Sequence, residues 1–88
     1  MSVADGLALV VHEDAELCLR LCKLLRGWGW AVDVAYTGTE GLHRFQELHP
    51  KLVLIQARLK ELDGLALCAA LRMQPFGERA WVAILDPL

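Results

Sequence analysis

The sequence predicts an α/β fold built on a doubly wound parallel sheet. Three observations carry that prediction. Apolar residues fall into short continuous runs separated by segments with helical spacing. The runs are apolar at successive positions, as in strands buried on both faces of a parallel sheet. Each intervening segment is long enough for one crossover helix, which parallel strands require. The chain has 88 residues, of which 56% are hydrophobic and 23% charged, and so holds one domain spanning 1–88.

Each element has its own signal. Residues 6–11, Gly-Leu-Ala-Leu-Val-Val, predict the first strand. Asp14 is a candidate N-cap, and apolar positions 17, 21, 24, 25 and 28 repeat at helical spacing until Gly27 and Gly29 end the first helix. Residues 30–35 alternate and predict a second strand. Thr37-Gly-Thr-Glu40 fits a capping box ahead of a second helix with Leu42, Phe45 and Leu48 on one face, which Pro50 stops. Residues 51–56 predict the third strand. Asp63 caps a third helix with Leu67, Cys68 and Leu71 inward, and Gln74-Pro75-Phe76-Gly77 marks a turn. Trp81–Leu85 predicts a fourth strand.

Composition excludes several classes. No apolar run approaches the roughly 20 residues of a membrane span, and the first residues, MSVADG, do not read as a secretory signal. A cytoplasmic domain without a membrane partner is expected. Nine basic against eleven acidic residues give a net charge of −2, with no electrostatic footprint for nucleic acid. The cysteines Cys18, Cys22 and Cys68 read as reduced apolar side chains. Cys18 and Cys22 stand four apart, but with no second pair nearby they widen an apolar stripe rather than bind metal.

Functional residues in such sheets gather at the carboxyl ends of the strands. Here those ends carry His12, Glu13 and Asp14, then Gln56, then Asp86.

Five segments, in order, resemble the receiver domain of response regulators. These are Ala8-Leu-Val-Val-His-Glu-Asp14, Gly29-Trp-Ala-Val32, Leu52-Val-Leu-Ile-Gln56, Leu62-Asp63-Gly64 and Val82-Ala-Ile-Leu-Asp86. The resemblance implies a flavodoxin-like fold, here truncated to four strands in the order 2-1-3-4 with three helices. It also implies a pocket in which an acidic pair and a phosphoacceptor Asp bind Mg²⁺, while a Thr or Ser and a Lys hold the phosphoryl group.

The departures from that pattern are chemical. His12 stands at the first acidic position and Glu13 at the second, unless a one-residue shift makes Glu13 and Asp14 the pair. Gln56 stands at the phosphoacceptor position and Asp86 at the Thr/Ser position. The sequence ends before the strand that would carry the Lys. A Gln amide is neutral and lacks the nucleophilic carboxylate oxygen of Asp. One Glu and an amide suit Mg²⁺ poorly. Asp86 adds negative charge where a phosphoryl group would sit.

The expected function is therefore a phosphorylation-independent pseudo-receiver, a non-enzymatic interaction module in two-component-type signalling, with no cofactor and no metal. Two other readings stay open. One is the N-terminal part of a longer response regulator whose output domain lies outside this sequence. The other is a small-ligand domain using the strand-end pocket. The expected partners are a second copy and another signalling protein. On the first helix Leu17, Leu21, Leu24 and Leu25 are read as the inward stripe, with Cys18, Leu19 and Cys22 extending it sideways into an interface. Trp81 and Val82 on the fourth strand offer a second interface.

Overall fold

A computed structural model describes residues 6–60, 62–74 and 77–85. The elements run in strict alternation: β1 (Leu7–Val11), α1 (Ala15–Gly27), β2 (Ala31–Ala35), α2 (Gly38–Leu48), β3 (Leu52–Gln56), α3 (Gly64–Arg72) and β4 (Trp81–Leu85), with a short 3₁₀ turn at Gly77–Arg79 before the last strand. All strand pairs are parallel and the order is β2-β1-β3-β4. This is the flavodoxin-like receiver topology expected from the sequence. Asp86 and the middle of the expected turn, Pro75 and Phe76, lie outside the described residues.

Local chemistry sets the helix boundaries. Asp14, Thr37 and Asp63 each sit in extended backbone at an N-cap, and their side chains accept from free N–H groups of the first turn. The Thr37 cap departs slightly from a reciprocal box: Glu40 accepts from the Tyr36 N–H at 2.7 Å rather than from the Thr37 N–H. At the end of α1, Gly29 N–H bonds Arg26 O and Trp30 N–H bonds Leu25 O, both at 3.0 Å. That pattern needs a left-handed residue at Gly29, whose φ is 95°. Past α2, His49 takes φ 48° and Pro50 prevents continuation.

The sheet divides the core in two. Leu9, Val11, Val53 and Ile55 pack under Phe45 of α2 and Leu67 and Leu71 of α3, with Val82 and Ile84 of β4 at the margin. Ala8 and Val10 pack on the other face under Cys18 and Leu25 of α1, joined by Trp30, Val32, Leu52 and Leu54. A fully buried side chain such as Phe45 contributes about 2–3 kcal/mol by removal from water.

Helix α1 corrects the sequence reading of its stripe. Leu25 faces the sheet and Leu21 packs beside it as expected, but Cys18 and Cys22 are buried with them, whereas Leu24 is 54% exposed and Leu19 53%. Cys18 and Cys22 are thus core side chains, not a sideways extension. Val82 also faces the core under the helices. Of the residues read as an interface, Leu19 and Trp81 are the ones at the surface.

Candidate functional site

Parallel pairing of β1 and β3 aligns Val11 with Ile55. It brings the residues that follow, His12 and Glu13 on one side and Gln56 on the other, to the same end of the sheet. There the Glu13 N–H donates to Gln56 Oε1 at 2.9 Å. In return, the Glu13 carboxylate reaches across to the loop after β3, where Oε2 accepts the Lys60 N–H at 2.8 Å. Each side chain therefore bonds backbone belonging to the other strand's end.

His12 is buried, at 9% exposure, and its backbone groups and Nδ1 all make hydrogen bonds. Its N–H donates to Ala35 O at 3.0 Å, extending the β1–β2 ladder by one bond. Its carbonyl accepts the Cys18 thiol at 3.4 Å. Its Nδ1 accepts the Asp14 N–H at 3.0 Å, so that nitrogen carries no proton in this arrangement. Asp14 itself is committed to α1, accepting from Glu16 N–H at 3.0 Å and Leu17 N–H at 3.3 Å. The one-residue shift that would pair Glu13 with Asp14 in the pocket is therefore not realised: the Asp14 carboxylate caps a helix.

The donor set does not fit the Mg²⁺ site that the resemblance implies. A hard divalent cation wants several anionic oxygens in octahedral array. Glu13 already spends an oxygen on Lys60, Gln56 presents a neutral amide that already accepts Glu13 N–H, and Asp14 is turned toward α1. Among the described residues no group of three His, Cys, Asp or Glu side chains could hold a metal ion. A groove of about 570 Å³ lies beyond the site, lined by Ala57, Arg58, Leu59, Asp63, Leu65 and Ile84; His12, Glu13 and Gln56 do not line it.

Sequence reasoning located His12, Glu13 and Gln56 at one place and missed Lys60. Lys60 takes part through its backbone N–H, which every residue except proline carries, so no pattern of side chains could mark it.

Comparison with known proteins agrees with this fold. The sequence pattern of the response regulator receiver domain matches residues 8–85. The transcriptional regulatory protein ZraR of Salmonella typhimurium is 45% identical over 58 residues, covering 66% of this chain and 13% of ZraR. The DNA-binding response regulator MtrA of Mycolicibacterium paratuberculosis is 41% identical over 64 residues, covering 73% of this chain and 28% of MtrA. The chain thus spans only a small part of these relatives. Among solved structures, the signal receiver domain of a signal transduction histidine kinase from Syntrophus aciditrophicus superposes with a TM-score of 0.87 at 26% identity, over 96% of this chain and 64% of that one. With its strand order and a family match over nearly its whole length, the chain belongs to the response regulator receiver domain family.

Proposed function

We propose that this receiver domain works without phosphorylation, as a protein-interaction module in cytoplasmic two-component signalling. The observation that carries the reading is Gln56. It stands where the family resemblance puts the phosphoacceptor, its amide has no nucleophilic oxygen, and its Oε1 is held by the Glu13 N–H. One oxygen of each neighbouring carboxylate, Glu13 Oε2 and Asp14 Oδ1, accepts backbone N–H groups. The test is incubation with Mg²⁺ and acetyl phosphate followed by intact-mass analysis: the reading predicts no phosphoryl adduct.

The partner in this reading is a protein surface, and first of all a second copy of the chain. Leu19 and Leu24 on α1, Trp28 at its C-cap and Trp81 on β4 are all more than half exposed. Trp81 lies on the edge strand opposite β2, away from α1, so these are two separate surfaces; either can be buried against a second copy in an isologous pair that lets one patch meet itself. ZraR and MtrA are named as transcriptional and DNA-binding regulators, and the chain matches only 13% and 28% of them. The proposal therefore concerns the receiver's signalling contact and assigns this domain no DNA binding.

A further inference from the structure

The two bonds between Glu13 and the β3 end form a closed exchange. Gln56, the last residue of β3, holds the backbone just after β1. Glu13, just after β1, holds the backbone of the β3–α3 loop at Lys60. The same loop has other anchors: the Ala57 N–H bonds Leu85 O at 2.9 Å, the Gly64 N–H bonds Ala57 O at 3.1 Å, and Leu59 is buried in the core. Lys60 itself is exposed, so the Glu13 carboxylate is what protects its N–H.

We infer that Glu13 and Gln56 act as a metal-free clasp that fixes residues 57–60 in one conformation, so that the surface this loop presents is set permanently rather than by a bound ion or phosphoryl group. The inference deepens the reading above, on which it rests, by stating how that same site is regulated: by internal hydrogen bonds alone. A cation that displaced Glu13 Oε2 would leave the Lys60 N–H without that acceptor, and the neutral Gln56 amide supplies no anionic oxygen to help hold the ion.

Residue-resolved amide hydrogen exchange on the whole chain tests this. A bond to a charged acceptor protects its donor more than a bond to a neutral one. Glu13→Ala speeds exchange at Lys60 about tenfold or more, while core amides such as Val10 and Leu54 keep their rates. Glu13→Gln retains an acceptor oxygen and gives an intermediate rate. Gln56→Ala releases the Glu13 amide. Millimolar Mg²⁺ leaves Lys60 protection in the unaltered chain unchanged. Equal Lys60 rates in the unaltered chain and Glu13→Ala overturn the clasp, as does a uniform rise at all amides or a Mg²⁺-dependent change at Lys60. Should Glu13→Ala not fold, Glu13→Gln and the Mg²⁺ comparison decide alone. An acyl phosphate detected while Lys60 stays protected would refute the functional reading and leave the clasp standing, so the two failures are distinguishable.

Discussion

The Cys18 thiol donates to the carbonyl oxygen of His12 at 3.4 Å, tying the first turn of α1 back to the end of β1. Cys18 is 1% exposed, in the core cluster with Ala8, Val10 and Leu25. Burial pushes its thiol up from 9.0 to about 11, with the nearby Cys22 and Asp14 adding to the effect. Its ionised form is disfavoured in the fold, which gives the thiol a structural part and a pH signature.

The first prediction concerns that signature. The unfolded thiol loses its proton near 9.0 while the folded one keeps it to about 11. Between those values the unfolded state binds fewer protons, so this group makes stability fall as pH rises. Urea unfolding of the unaltered chain loses more stability from pH 8.5 to pH 11 than that of Cys18→Ala. Parallel pH dependences for the two proteins would contradict the assignment.

Two glycines separate packing from propensity. A Cβ on Gly38, the first residue of α2, would run into the carbonyl of Leu62, and backbone cannot move aside cheaply. Gly38→Ala lowers stability by about 1–3 kcal/mol. Gly27, the last residue of α1, has nothing within 4 Å of such a Cβ. There Gly27→Ala raises stability by about 0.5–1 kcal/mol through helix propensity. Chemical denaturation of both variants checks the pair.

How much of this was legible in the sequence depends on what each feature rests on. β1 stood out as a continuous apolar run because both its faces are buried, β2 by alternation at the sheet edge, and the caps Asp14, Thr37 and Asp63 because each uses a side-chain oxygen at a fixed offset. The phase of α1 was legible only in part. Leu and Cys are both apolar, so the periodicity leaves open on which side of Leu21 and Leu25 the inward arc is centred. Contact with Ala8 and Val10 centres it on Cys18 and Leu25, with Leu21 at its margin and Leu24 outside it. At the site, proximity of Glu13 and Gln56 followed from parallel register, whereas the Lys60 contact and the use of His12 Nδ1 as an acceptor depend on loop backbone geometry.

Oligomeric state is the third prediction. Sedimentation equilibrium at micromolar concentration gives a dimer, and Leu19→Glu, placing a charge on the exposed side of α1, shifts it to monomer with the fold retained. Val82→Lys is a different experiment, because Val82 packs against the core and a charge there unfolds the chain instead. A soluble, folded species near 9.8 kDa for the unaltered chain would contradict self-association.

The most direct test of the central claim is intact-mass spectrometry after incubation with Mg²⁺ and acetyl phosphate, on the unaltered chain and on Gln56→Asp. On the proposed reading the unaltered chain is not phosphorylated, because the position of the phosphoacceptor carries the Gln56 amide, whose Oε1 accepts the Glu13 N–H. The unaltered chain keeps its mass. Gln56→Asp restores a carboxylate but not the metal's acidic set, and it too stays largely unmodified. A labile acyl phosphate on the unaltered chain, mapped to Glu13 or Asp14, would contradict the account.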